Sequence, residues 1–207
     1  MAQERGFDRL VNFSDAIVAI AATLLVLPLV DKASSIGSTP IPQFLGENII
    51  AFIVFVLSFV VIGRFWLAHH RFFEHLRSFS PGLMVFNLLW LLGIVFLPFP
   101  TELIVSGHSV TTLAAAVYIG TMLFISLASL GMAIVARRNH AILHDPEKYH
   151  RAFVLSIVTA VITAVAFVIS LVWPMIGLWS LWLLLLTPVL GRIVDRADRP
   201  RSGDAQS

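Results

Sequence analysis

Apolar residues run in long, nearly unbroken blocks along this chain, and polar residues fall in short clusters between them. A helix needs about 20 apolar residues to cross a hydrocarbon layer roughly 30 Å thick. Six blocks are long enough, at about 10–30, 49–69, 82–104, 110–135, 152–173 and 175–194. After the first block, "DKASSIGSTPIPQ" mixes charge, Gly, Ser and Pro, which predicts an exposed loop. "HHRFFEHLRSFSPG" follows the second block, "PFPTELIVSGHS" the third and "ARRNHAILHDPEKYHR" the fourth. Only "WPMIG" parts the fifth from the sixth, which predicts a tight hairpin. The tail "DRADRPRSGDAQS" has almost no apolar residues and reads as disordered. The pattern therefore predicts an all-α membrane protein with a single six-helix transmembrane domain over 1–195 and a disordered tail over 196–207. No internal repeat is evident.

The basic residues orient these spans. With the N-terminus in the cytoplasm, Arg5, Arg9, Arg64, Arg71, Arg77, Arg137, Arg138, Lys148, Arg151, Arg192, Arg196, Arg199 and Arg201 all fall on the cytoplasmic side. Lys32 alone falls outside, so thirteen of the fourteen basic residues share one side. That asymmetry favours six spans over five or seven and places both termini in the cytoplasm of a cell (plasma) membrane protein. The first block begins behind a mixed-charge start and ends at Pro28, so no cleavable signal peptide is expected.

Composition narrows the function classes. Hydrophobic residues make up 58% and charged residues 13%, about half the charge of a soluble domain. The absence of cysteine removes disulfides and thiolate metal sites. A formal charge of +2 is too small to point to a nucleic-acid partner. The sixteen Phe and five Trp, including Trp173, Trp179 and Trp182, fit packing and interfacial anchoring. No Gly-rich nucleotide loop and no Arg repeated every third residue across a span is present, which argues against ATP driving and a voltage sensor. Glu102 and Asp31 at the outer mouth read as ordinary helix-end acids.

The first span carries unusual polar residues. Asp15 lies a turn or so inside it, where an ionised carboxylate costs a few kcal/mol unless paired or wetted. Arg9 points to another face of the same helix, so Asp15 requires a partner elsewhere. At matching depth the candidates are His69 or His70 on the second helix and Asn87 on the third. A plain interfacial helix start, favoured by the helix dipole, is the bland alternative. Further in, Ile20, Thr23, Leu24 and Leu27 stand at i, i+3, i+4 and i+7 on one stripe. Such a stripe can simply pack or face lipid, and Thr23 can bond back to the carbonyl of Ala19. Around an axis shared by several copies it would become a series of rings, the apolar ones narrowing a pore and the hydroxyl one replacing ion hydration.

"RLVNFSD" (Arg9, Phe13, Ser14, Asp15) resembles the R-x-x-x-F-S-D signature of the transmembrane-protein-175 family of potassium channels. "AIVAIAATLLVLPL" is similar to that family's first helix, and the likeness continues in "WLAHHRFF" (Trp66 to Phe73) and "NLLWLLGIVFLPFPT" (Asn87 to Thr101). It covers the first half of the chain; the second half agrees in span count and loop style. The resemblance implies a homotetramer in the lipid bilayer, with one six-helix repeat per chain and the first helix lining a central pore. It implies no re-entrant filter loop, and nothing like T-V-G-Y-G occurs here. Pore constrictions would then fall on Ile20, Thr23 and Leu27, with Leu24 a neighbour, and K+ would pass near Thr23. Arg9, Phe13, Ser14 and Asp15 would position the pore helix, with His69, Asn87 and Trp90 as their partners. The implied activity is passive, potassium-selective flux that needs no cofactor and no catalysis.

Two other classes compete. A proton- or cation-coupled secondary transporter could use Asp15 and a histidine as carriers, although Pro28, Pro98 and Pro100 sit near span ends rather than mid-helix. A membrane metalloenzyme could use His69, His70 and His75 with His140, His144 and His150, and Glu74, Asp145 or Glu147 as carboxylate ligands. Those spacings match no familiar metal box.

Overall fold

The computed structural model describes residues 2–78, 80–106, 111–139, 142–143 and 146–172. The sixth block at 175–194, the tail, and residues His140, His144, Asp145, Trp173, Trp179, Trp182, Arg192, Arg196, Arg199 and Arg201 lie outside them. The described residues form eight helices: α1 (Ala2–Leu24), α2 (Leu27–Ser34), α3 (Ile41–Glu47), α4 (Ile49–Glu74), α5 (Pro81–Phe96), α6 (Pro98–Ser106), α7 (Thr112–Arg138) and α8 (Pro146–Val172). Five stretches are long and apolar enough to cross a membrane: Gly6–Ser34, Ile49–Glu74, Pro81–Ser106, Thr112–Arg138 and Ala152–Val172. This is an all-α, multi-pass membrane protein.

Prolines cut two of these spans. Pro28 lacks the N–H that would continue the first helix, so α1 stops at Leu24 and α2 restarts at Leu27 with Pro28 in its first turn. Pro98 and Pro100 part α5 from α6 in the same way. Elsewhere the helices outrun their expected ends. No Gly or Pro follows His69 until Pro81, so α4 continues through "HHRFFE" to Glu74, past the expected end at 69. The expected exposed loop after the first span is in part helical too: Asp31 and Lys32 belong to α2, and Ile41–Glu47 form α3 with no buried residue.

Helix starts are chemically marked. Ser80 accepts from the Leu83 N–H before Pro81, and Thr111 accepts from the Ala114 N–H before α7. The core lies where α7 packs against α5 and α8, built on Leu83, Trp90, Ile94, Ile119, Met122, Ile125 and Met132. Glycine permits the close approach of α5 and α7. A methyl on Gly93 would stand 2.5 Å from Ile125 Cγ1, and one on Gly131 would stand 2.3 Å from the Phe86 ring. Small residues play this role in membrane bundles because packing, not water exclusion, holds the helices together.

One end of the bundle is tied by contacts between segments distant in sequence. Phe7 at the start of α1 meets Phe73 at the end of α4, with ring centroids 5.8 Å apart. Past α4, Leu76 forms an isolated antiparallel bridge with Leu143, and the Arg77 N–H donates to the Ile142 carbonyl at 2.9 Å. The loops after the second and fourth spans therefore share one end, as alternating spans require. Large apolar side chains such as Ile53, Val56, Leu92 and Val165 point outward, as suits a surface in hydrocarbon.

The glycine contacts generate the first prediction. Gly93→Ala and Gly131→Ala each overpack the α5–α7 seam and cost roughly 1–3 kcal/mol. Thermal unfolding of the purified protein in detergent checks this; wild-type melting for both variants would contradict the close seam.

Candidate functional site

The first span has two distinct faces. Ser14, Val18, Ala21 and Leu25, continued by Pro28, are buried against the rest of the chain; α1 packs on α4 and α5. On the opposite side Ala16, Ile20, Thr23, Leu24 and Leu27 are exposed, Ile20 at 59% against 1% for Ala21. The stripe read from the sequence is thus uncovered by the described helices. Leu27 is not on one continuous helix with the others, because the turn at Leu25 and Val26 intervenes, yet it stays on the uncovered side.

A line of buried hydrogen bonds holds the covered face. The His69 Nε2–H donates to Asn87 Oδ1 at 2.7 Å, and Asn87 Nδ2–H donates to Ser14 Oγ at 3.0 Å. The Ser14 hydroxyl in turn donates to the Leu10 carbonyl at 2.9 Å. With the Asn87 oxygen toward His69, the imidazole carries its proton on Nε2. The His69 ring stacks on Trp90, centroids 4.1 Å apart and planes 21° from parallel, and leans on Phe73. Ser14, Asn87 and Trp90 are 0% exposed, so a missing partner here would leave a polar group stranded in a dry interior.

Asp15 is held separately. Its Oδ1 accepts from the Trp66 indole N–H at 2.8 Å, rather than from His69, His70 or Asn87 as the sequence suggested. Depth along the helices allowed all of these; the rotation of α4 decides, since it turns Trp66 toward α1 and His69 toward α5. Trp66 is the residue the sequence reading missed as Asp15's partner, and its place one turn before His69 and His70 was the available signal. Arg9 and Phe13 of the signature stretch are exposed, Phe13 at 51%, so the described helices do not bury them.

The uncovered stripe has one polar member. The Thr23 hydroxyl donates to the Ile20 carbonyl at 2.7 Å, three residues back rather than the four that Ala19 would require. That bond uses the proton and leaves the oxygen as an acceptor only, which suits a cation and not an anion.

A second buried cluster joins α4, α6 and α7. Thr101 Oγ1–H lies 3.1 Å from Ser58 Oγ and 2.9 Å from the Leu97 carbonyl, and Ser58 Oγ lies 3.1 Å from the Tyr118 hydroxyl. The sequence reading did not single out these three residues. Among the described residues no three His, Asp or Glu side chains gather as a metal site. His70 faces Glu74 along its own helix at 3.8 Å.

Residues 9–98, which hold every member of the hydrogen-bond line, match the family described as Endosomal/lysosomal potassium channel TMEM175. That likeness covers somewhat less than half of the chain. A potassium channel of Streptomyces collinus is 36% identical over 124 residues, covering 58% of this chain and 59% of the relative. The rat endosomal/lysosomal proton channel TMEM175 is 32% identical over 98 residues, 44% of this chain and 20% of that one. The chain thus aligns with about three fifths of the length of its Streptomyces relative and a fifth of the rat one. In fold it is similar to the crystal structure of a lysosomal potassium-selective TMEM175 homolog from Chamaesiphon minutus, with a TM-score of 0.77 and 23% identity over 90% of this chain and 98% of that one.

The two sets of hydrogen bonds on α1 differ in burial and so in cost. Asn87→Leu strands the His69 N–H and costs roughly 1–3 kcal/mol, whereas Trp66→Phe costs less because Asp15 is only half-buried. Chemical or thermal denaturation of both variants in detergent reads the order; a more damaging Trp66→Phe would reverse this account of the anchor.

Proposed function

We propose that the chain is a subunit of a potassium-selective channel that conducts passively along the axis of a homotetramer. The observation that carries this reading is the uncovered stripe of Ile20, Thr23, Leu24 and Leu27, directly behind a face of α1 that is fixed by hydrogen bonds. Four copies with α1 innermost would turn the stripe into rings. Ile20 and Leu27 would form dry constrictions, and Thr23 between them would offer oxygen acceptors to a partly dehydrated ion. Potassium gives up water more cheaply than the smaller sodium ion, so weak coordination in a narrow passage favours it. The name of the Streptomyces relative, a potassium channel, supports the same reading.

Arg9, Phe13, Ser14 and Asp15 would serve as positioning residues, with His69, Asn87 and Trp90 bracing the helix they set. Arg9 and Phe13, exposed on one chain, would meet neighbouring copies. The basic residues Arg71, Arg77, Arg137 and Arg138 would mark the cytoplasmic end in a plasma membrane, and both termini would lie on that side. A proton current is the one competing activity with an observation behind it, because the rat relative is named a proton channel.

Ion flux through purified protein in liposomes tests the reading, with potassium, sodium and proton gradients compared. Potassium-favoured flux is expected for the wild type. Thr23→Ala is expected to lose roughly fivefold of that preference, which is what an interaction of about 1 kcal/mol is worth. Unchanged preference in Thr23→Ala would remove Thr23 from the filter. Flux that requires a proton gradient and saturates would replace the channel by a coupled transporter.

A further inference from the structure

A shallow cleft of about 440 Å³ opens beside the last turns of α7, lined by Ile134, Arg137, Arg138 and Phe153. Its depth is fixed from two directions, since the fourth span ends at Arg138 and the fifth begins at Ala152. The cleft therefore sits at the boundary between hydrocarbon and water. Its cations are arranged rather than scattered. The Arg137 guanidinium lies 4.5 Å from the centroid of the Phe153 ring. A cation–π contact of this kind uses the guanidinium's charge and not its N–H donors, which can pair with phosphate oxygens. Arg138, also exposed, adds a second charge at the same height.

Tyr149 fixes the cleft's walls. Its hydroxyl donates to the Ala133 carbonyl at 2.5 Å and so pins the start of α8 to the last turns of α7. Burial pushes that hydroxyl above its ordinary pKa, and nearby Arg137 offsets only part of the rise, so it stays a neutral donor. Basic residues at a helix C-terminus can be explained by the helix dipole alone. The dipole does not explain why apolar Ile134 and Phe153 line the same cleft as the two arginines, with Phe153 directly against Arg137. Cations above and hydrocarbon below is the chemistry of a phospholipid at the interface.

We propose that this cleft binds the phosphate headgroup of an anionic phospholipid, one per chain. Arg137 and Arg138 meet the phosphate, and Ile134 and Phe153 lie along the first methylenes of an acyl chain. The assignment does not depend on what the protein conducts, and binding is read without any flux.

The test uses the purified full chain, stripped of lipid in detergent and titrated with phosphatidylglycerol or phosphatidylcholine under native mass spectrometry. The wild type is expected to retain about one phosphatidylglycerol per chain in preference to phosphatidylcholine. The Arg137→Gln/Arg138→Gln variant is expected to lose that preference by roughly tenfold or more. If the double variant does not fold, Arg138→Gln alone, at an exposed position, is expected to lose part of it. Phe153→Ala is expected to weaken retention of the lipid with both arginines in place. Retention unchanged by the arginine substitutions would overturn the proposal. Displacement of the lipid by inorganic phosphate with no effect of Phe153→Ala would also overturn it, by making the cleft a site for free anions.

Discussion

One amide at the meeting point of three spans governs the arrangement of the first helix. Asn87 on α5 donates to Ser14 on α1 with its NH2 group and accepts from the His69 N–H on α4 with its oxygen. In a bilayer the helices gain little by hiding apolar surface from one another, because lipid is as apolar as they are. Rotation about the helix axis is then set by packing detail and by directional bonds. A buried amide with both ends engaged supplies direction, and any rotation of α1 would break it. The stacked Trp90 ring and the tilted Phe73 ring hold the imidazole in the orientation that completes the line.

Fixing one face of α1 also fixes what the other face presents. The line of hydrogen bonds turns Ser14, Val18, Ala21 and Leu25 inward, so Ile20, Thr23, Leu24 and Leu27 must face away from the chain. None of the described helices covers them. Lipid could accept the three leucine and isoleucine side chains, but an acceptor-only oxygen at Thr23 gains nothing from hydrocarbon. A common axis with other copies gives every member of the stripe a role. The break at Pro28 lets the span bend just beyond the stripe while its buried side continues into Leu25 and Pro28.

Much of the bundle was legible in the sequence because the membrane imposes one length scale. Five of the six expected spans fall on helices close to their expected bounds; the sixth lies beyond the described residues. The ends were less legible. "HHRFFE" reads as a polar loop by composition, yet it lacks a helix breaker, and His69, Phe72 and Phe73 are buried as the helix runs on. Partner choice was less legible still. Sequence gives the depth of Asp15 but not the rotation of α4, and Trp66, His69 and His70 differ mainly by rotation. The two faces of α1 are chemically alike apart from Ser14 and Thr23, so which side is covered could be assigned only from the family resemblance or from the fold. Tyr118, Thr101 and Ser58 were passed over because scattered hydroxyls in apolar spans carry no spacing signal.

The central claim is that the uncovered face of α1 lines the conduction path. Because the chain contains no cysteine, single cysteines can be introduced one at a time and flux in liposomes followed as silver ions are added. The account predicts strong inhibition for cysteines at Ala16, Ile20 or Leu27 and none at Val56 or Val161, equally exposed positions on other spans. Silver inhibition at Val56 or Val161 with none along α1 would place the path elsewhere and contradict the account.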